Sequence, residues 1–196
     1  RITRINTAPV VDVLLLSRNP DFAEADLHAL QLGPDVKLVR EYRIPPPVSV
    51  NFGDADNDGR LDILVMRPGY SLSIIDHDGN ELWAYEGPEA GRIERSTDDI
   101  NGLIWDIDGD GITEVLHWRF MGGREWLVVA DGRTGAIKNR TPWPTAPLPH
   151  AYNNHRIAVA RFGPGPARHI LVFSDPGSTI SLTAYTADLQ QVWRHE

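Results

Sequence analysis

The sequence predicts an all-β protein, a β-propeller of which about four blades are present. Short β-type runs follow one another closely, helical signals are weak, and two separate elements repeat in the same order along 196 residues. The runs are Val11–Leu16, Leu61–Met66, Leu72–Ile75, Ile112–Trp118, Trp126–Ala130, Ile157–Ala160, Ile170–Phe173 and Ile180–Tyr185, with turn residues between them. Pro45, Pro46 and Pro47 form one break, and Pro142, Pro144, Pro147 and Pro149 another. Asp21–Leu32 is the one stretch with room for a short helix, although its apolar residues do not follow a helical period.

The first repeated element is a hairpin turn leading into an outer strand. Asp78-Gly-Asn-Glu-Leu-Trp83-Ala-Tyr-Glu86 and Asp188-Leu-Gln-Gln-Val-Trp193-Arg-His-Glu196 share Asp, Trp and Glu at the same offsets. Asp131-Gly-Arg-Thr-Gly-Ala-Ile137 stands between them, and Pro34-Asp-Val-Lys-Leu-Val39 reads as an earlier copy. The second element is an acidic loop leading into a strand. Asp54-Ala-Asp-Asn-Asp-Gly-Arg-Leu-Asp62 recurs as Asp106-Ile-Asp-Gly-Asp-Gly-Ile-Thr-Glu114. A degenerate copy follows at Phe162–Val172, with Gly163-Pro-Gly-Pro166 where the acids would be, and we expect no calcium there. The units are about 1–43, 44–90, 98–143 and 151–196, each a loop, a strand, two middle strands and an outer strand. That is the size and strand number of a propeller blade. A sandwich would supply similar strands but not two elements repeating in one order.

The full loops place acids at positions 1, 3, 5 and 9: Asp54, Asp56, Asp58 and Asp62, then Asp106, Asp108, Asp110 and Glu114. Calcium takes roughly six to eight hard oxygen ligands, and alternating acids in a tight turn aim three carboxylates at one point. Gly59 and Gly111 allow the sharp turn, and Arg60 and Ile112 offer backbone carbonyls. Asp62 and Glu114 close the shell from the start of a strand, earlier than the closing Glu of an EF-hand, which is flanked by helices. Four carboxylates this close repel one another without a cation. The expectation is two structural calcium ions, each stapling a loop to the strand after it.

The charge balance points the same way. There are 27 Asp+Glu against 19 Lys+Arg, for a net charge of −8, and the two loops hold eight of the acids. The rest of the chain is neutral, and two bound calcium ions bring the total to about −4. An acidic chain lacks the basic face of a nucleic-acid-binding domain. No apolar run approaches the roughly 20 residues of a membrane span. The absence of Cys excludes a disulfide framework, a thiol nucleophile and a thiolate zinc site. The chain starts at Arg1 with neither Met nor a signal peptide, which suggests a processed or truncated chain.

The blade pattern resembles the FG-GAP/VCBS type of calcium-binding propeller. Gly102–Arg119, Val128–Gly135, Tyr152-Asn-Asn-His-Arg-Ile157 and Leu182–Trp193 more specifically resemble propeller polysaccharide lyases, among them rhamnogalacturonan, ulvan and rhamnose–glucuronate lyases. The resemblance covers about Val48–Glu196. It implies a ring of seven or eight blades, so that further blades come from sequence outside this chain. It also implies a secreted or periplasmic enzyme that cleaves a uronate- and rhamnose-containing polysaccharide by β-elimination. Such chemistry needs a cation or Arg on the uronate and a base and an acid at the scissile bond. On the resemblance, His117 and Tyr152 are the acid/base pair and Arg168 the carboxylate clamp, with Arg156 its nearer competitor. Asn153, Asn154, His155 and Arg156 would bind sugar hydroxyls. Those lyases carry a second His about one hairpin upstream, and Arg92–Ile100 contains none.

The other aromatic residues read as packing: Trp83 and Trp193 between blades, Trp105 in the core, and Trp118, Trp126 and Trp143 as packing rather than sugar platforms. Arg outnumbers Lys seventeen to two, the lysines being Lys37 and Lys138. Two functions stay open. One is the lyase; the other is a noncatalytic calcium-stapled propeller used for binding or adhesion.

Overall fold

The computed structural model describes residues 13–18, 25–31, 35, 37–45, 47–87, 101–144, 154–162, 165, 167–175 and 180–196. They form four antiparallel sheets, each a meander in chain order. The first has three strands, β1 (Val13–Arg18), β2 (Ala25–Gln31) and β3 (Lys37–Ile44). The second has β4 (Ser49–Gly53), β5 (Asp62–Arg67), β6 (Ser71–Ile75) and β7 (Glu81–Tyr85). The third has β8 (Leu103–Trp105), β9 (Glu114–Met121), β10 (Arg124–Asp131) and β11 (Ile137–Pro142). The fourth has β12 (Asn154–Ala160), β13 (His169–Asp175), β14 (Ser181–Tyr185) and β15 (Gln191–His195). The sheets are the successive blades of a partial propeller. Among the described residues no helix is long and apolar enough to cross a membrane.

Two expectations change here. Asp21–Leu32, with room for a helix, contains β2, because Ala25, Leu27 and Ala29 are buried at a period of two. The acidic loops do not open their units. Each lies between an innermost strand, β4 or β8, and the second strand. The innermost strands are short, and Asn51, Gly53 and the exposed Trp105 blur their apolar pattern.

The middle strands β5 and β6 are buried at nearly every position, which is why they read as continuous apolar runs. Both faces are covered by neighbouring sheets. Ala25, Leu27, Ile44, Ile63, Val65 and Ile75 form one core between the first and second sheets. Leu64, Leu72, Ile74, Leu116, Trp118, Leu127, Ile157, Ile170 and Val172 belong to a larger core running through the second, third and fourth. Burying each such side chain contributes roughly 1.5–3 kcal/mol.

Polar latches cross each seam. The Tyr42 hydroxyl on β3 donates to the His77 carbonyl at 3.0 Å, in the turn before β7. The Trp83 indole on β7 donates to the Gly132 carbonyl at 2.7 Å, in the turn before β11. The Asn139 amide on β11 donates to the Asp188 carbonyl at 2.7 Å, in the turn before β15. An outer strand thus reaches into the next sheet's hairpin three times over. Trp83 also fixes Gly135, which has a φ of +72° and whose missing Cβ would lie 2.6 Å from the indole. Each outer strand carries a one-residue bulge, at Val39, Leu82, Lys138 and Val192, where the register skips a partner.

Candidate metal centres

The loop from Asp54 to Asp62 is folded by its own carboxylates. Asp54 accepts from the Asp58 amide at 3.0 Å and the Gly59 amide at 2.9 Å. Asp56 also accepts from the Asp58 amide at 3.1 Å, and Asp58 accepts from the Arg60 amide at 2.8 Å. Asn57 and Gly59 take φ of +62° and +85°, so Gly59 supplies the turn expected of it. Oxygens of Asp54, Asp56 and Asp58 come within 4.8 Å of one another. Asp62, fully buried at the start of β5, accepts from the Ala55 amide at 2.8 Å through Oδ2, while its Oδ1 has no hydrogen-bond partner. Burial pushes this carboxyl up to about 6, and the Asp56 and Asp58 charges add to the push. Three converging acids, in a loop closed by a buried carboxylate with one unpartnered oxygen, fit a hard divalent cation, which would neutralise their repulsion. Arg60 turns its guanidinium back onto Asp58, with Nη2 at 2.9 Å.

The loop from Asp106 to Glu114 repeats this plan. Asp106 accepts from the Gly109 amide at 2.7 Å and the Gly111 amide at 3.3 Å. Asp108 accepts from the Asp110 amide at 3.1 Å, and Asp110 from the Ile112 amide at 2.7 Å. Asp106, Asp108 and the buried Glu114 converge within 4.8 Å. Glu114 Oε2 accepts from the Ile107 amide at 3.0 Å, matching Asp62. Its Oε1 differs, because Lys138 Nζ lies 2.5 Å away. Asp62 and Asp110 stand outside the two converging sets.

The two loops are clasped together. The Asn57 amide donates to the Gly111 carbonyl and Thr113 Oγ1, both at 3.1 Å, and Asn57 Oδ1 accepts from the Thr113 amide at 3.0 Å. Neither Asn57 nor Lys138 stands out in the sequence. Asn57 sits at position 4, where the second loop has Gly109, and both take positive φ. That shared requirement was the available signal.

Of the residues assigned by resemblance, His117, Asn154, His155, Arg156 and Arg168 lie among the described residues. His117 is wholly buried on β9. Its Nε2 accepts from Arg119 Nε at 3.1 Å, and its Nδ1 lies 3.3 Å from the Val115 carbonyl, so a neutral ring protonated at Nδ1 satisfies both nitrogens. Desolvation, with the Arg119 charge, pushes the ring down to about 3. Arg119 stacks on Tyr85, its guanidinium carbon 4.0 Å from the ring centroid. Arg168 is drawn to the second acidic loop: its Nη1 donates to the Asp106 carbonyl at 2.5 Å and the guanidinium lies 5.7 Å from the Trp105 ring centroid. Trp105, expected in the core, is 46% exposed, because the short β8 leaves it beside Arg168 at the loop entrance. Arg156 is half-buried on β12, and Asn154 and His155 open that strand. Tyr152, Asn153 and the stretch Arg92–Ile100 lie outside the described residues.

No protein-family model and no curated protein matches the chain. Solved structures do. The rhamnogalacturonan lyase YesW superposes with a TM-score of 0.52 at 14% identity, over 92% of this chain and 36% of that one. The Bacillus licheniformis rhamnogalacturonan lyase PL11 gives 0.51 at 15% identity, over 88% and 42%. The exotype rhamnogalacturonan lyase YesX gives 0.50 at 13% identity, over 88% and 41%. The fold is a partial β-propeller. The chain spans about two fifths of the length of these enzymes, and at such identities the likeness is one of fold.

Proposed function

We propose that this chain is a calcium-stapled run of blades from a larger carbohydrate-active propeller, a polysaccharide lyase acting on a uronate- and rhamnose-containing polymer. The calcium part rests on one observation, the buried Asp62 Oδ1 without a partner beside converging carboxylates. The lyase part rests on the fold shared with three rhamnogalacturonan lyases and on the Tyr152–Ile157 and Gly102–Arg119 segments. Tyr152 is the acid/base residue of this reading and Arg168 its carboxylate clamp, with Arg156 the nearer competitor; Arg168 now rests on a backbone carbonyl and an indole that substrate would have to displace. His117 supports the site from within β9: its ring reaches no solvent and both nitrogens are satisfied.

The burial of His117 also favours the second function, a noncatalytic module that binds or presents acidic polysaccharide. The two separate in one assay. A lyase generates unsaturated uronate absorbance from rhamnogalacturonan, ulvan or gum arabic, and Tyr152→Phe removes it. Retention of those polymers on the chain with no absorbance change establishes the binding module instead.

A further inference from the structure

The two acidic loops share most of their carboxylate–amide bonds, and their closing acids differ at one oxygen. In each, the closing acid is fully buried, and one of its oxygens accepts from the amide at position 2, Ala55 or Ile107. The other oxygen is unpartnered in Asp62 but meets an ammonium in Glu114. Lys138 Nζ lies 2.5 Å from Glu114 Oε1, 3.6 Å from Asp108 Oδ2 and 3.8 Å from Asp110 Oδ2. One ammonium thus touches three of the four acids of its loop.

The backbone explains how Lys138 gets there. It occupies the outer-strand bulge of the third sheet, the register position held by Val39, Leu82 and Val192 in the other three. The bulge residue faces out of step with its neighbours, and in the third sheet this turns a long cationic side chain onto the loop. Leu82 at the same place in the second sheet packs into the apolar core and brings no charge to its loop. In the Asp54–Asp62 loop the Arg60 and His77 side chains meet a single acid, Asp58, at its Oδ2.

We propose that Lys138 is the resident cation of the Asp106–Glu114 loop, so that the chain holds one divalent cation tightly, in the Asp54–Asp62 loop, instead of one in each. This rests on the reading that the first loop takes such a cation. A metal entering the second loop must displace an ammonium from a buried carboxylate and then tolerate a like charge nearby. Lys138 therefore performs the stapling that calcium performs one sheet earlier.

Calcium titration of the full chain by calorimetry tests this, with Lys138→Leu, which installs the residue of the second sheet, and Lys138→Gln, which keeps a donor near Glu114 should the leucine variant fail to fold. The wild type is expected to bind one ion tightly, and Asp54→Ala to abolish that event. Lys138→Leu or Lys138→Gln is expected to gain a second event whose affinity rises about 100-fold or more over the wild-type second loop. The same variants should melt lower in chelator and recover in calcium. Two comparable sites in the wild type, or no added site in either lysine variant, overturn the role of Lys138 and leave the first-loop reading standing. No calcium uptake by any of the proteins overturns both.

Discussion

His117 carries an acid-sensitive liability. Its neutral ring is buried between an acceptor carbonyl and the Arg119 guanidinium, and protonation would set two cations face to face without solvent. Its folded value of about 3 lies below the 6.5 of a free imidazole, so the unfolded chain binds more protons between those values. Its contribution to stability is complete above pH 6.5 and lost progressively toward pH 3. Urea unfolding at pH 7.5 and pH 5 is therefore expected to show a larger acid loss in wild type than in His117→Leu. The leucine variant itself is expected to lose about 1–3 kcal/mol at neutral pH, because Arg119 Nε is left without its acceptor. A catalytic role alone would leave both unfolding curves unmoved. A His following an acidic loop on a strand is visible in the sequence. Whether that strand turns the ring toward water or toward Trp83 depends on packing between sheets, which no single segment encodes.

At the scale of elements, the middle strands were legible because burial on both faces makes them continuously apolar, and the acidic loops because a turn folded onto its own carboxylates fixes residue types at set positions. The innermost strands were not legible, since β8 has three residues and no period can form in three. Lys138 escaped for a different reason: its direction is set by a register skip in β11, a property of strand pairing. The seams give a sharper expectation. Trp83→Phe keeps the ring against Gly135 but removes the donor to the Gly132 carbonyl, for a loss of about 1 kcal/mol. Gly135→Ala both strains a positive φ and places a methyl in the Trp83 ring, so its loss should exceed that of Trp83→Phe. Chemical denaturation of the two variants checks the order.

At the scale of the molecule, charge and stability are linked through the loops. Eight acids in two turns account for the net charge of −8, and the structure folds those acids onto their own amides. A cation in the first loop at about 100 times its Kd adds roughly 2.7 kcal/mol, or about 5–10 °C in melting temperature. Chelator is expected to lower the melting temperature by that amount, and Asp62→Asn to make the chain indifferent to chelator; scanning calorimetry measures both. Phe162, Ile180, Leu182 and Val192 leave exposed apolar surface on and beside the fourth sheet.

The latches at the seams share a direction. Tyr42, Trp83 and Asn139 each donate forward, to a turn that comes later in the chain. A ribosome therefore releases each of these three donors before the carbonyl it will meet. Each sheet emerges to find a hydroxyl, indole or amide already presented by its predecessor, and closing one seam needs nothing from the seams still to be made. The order of synthesis is thus also an order in which this protein can be zipped together, blade upon blade, from its first sheet to its last.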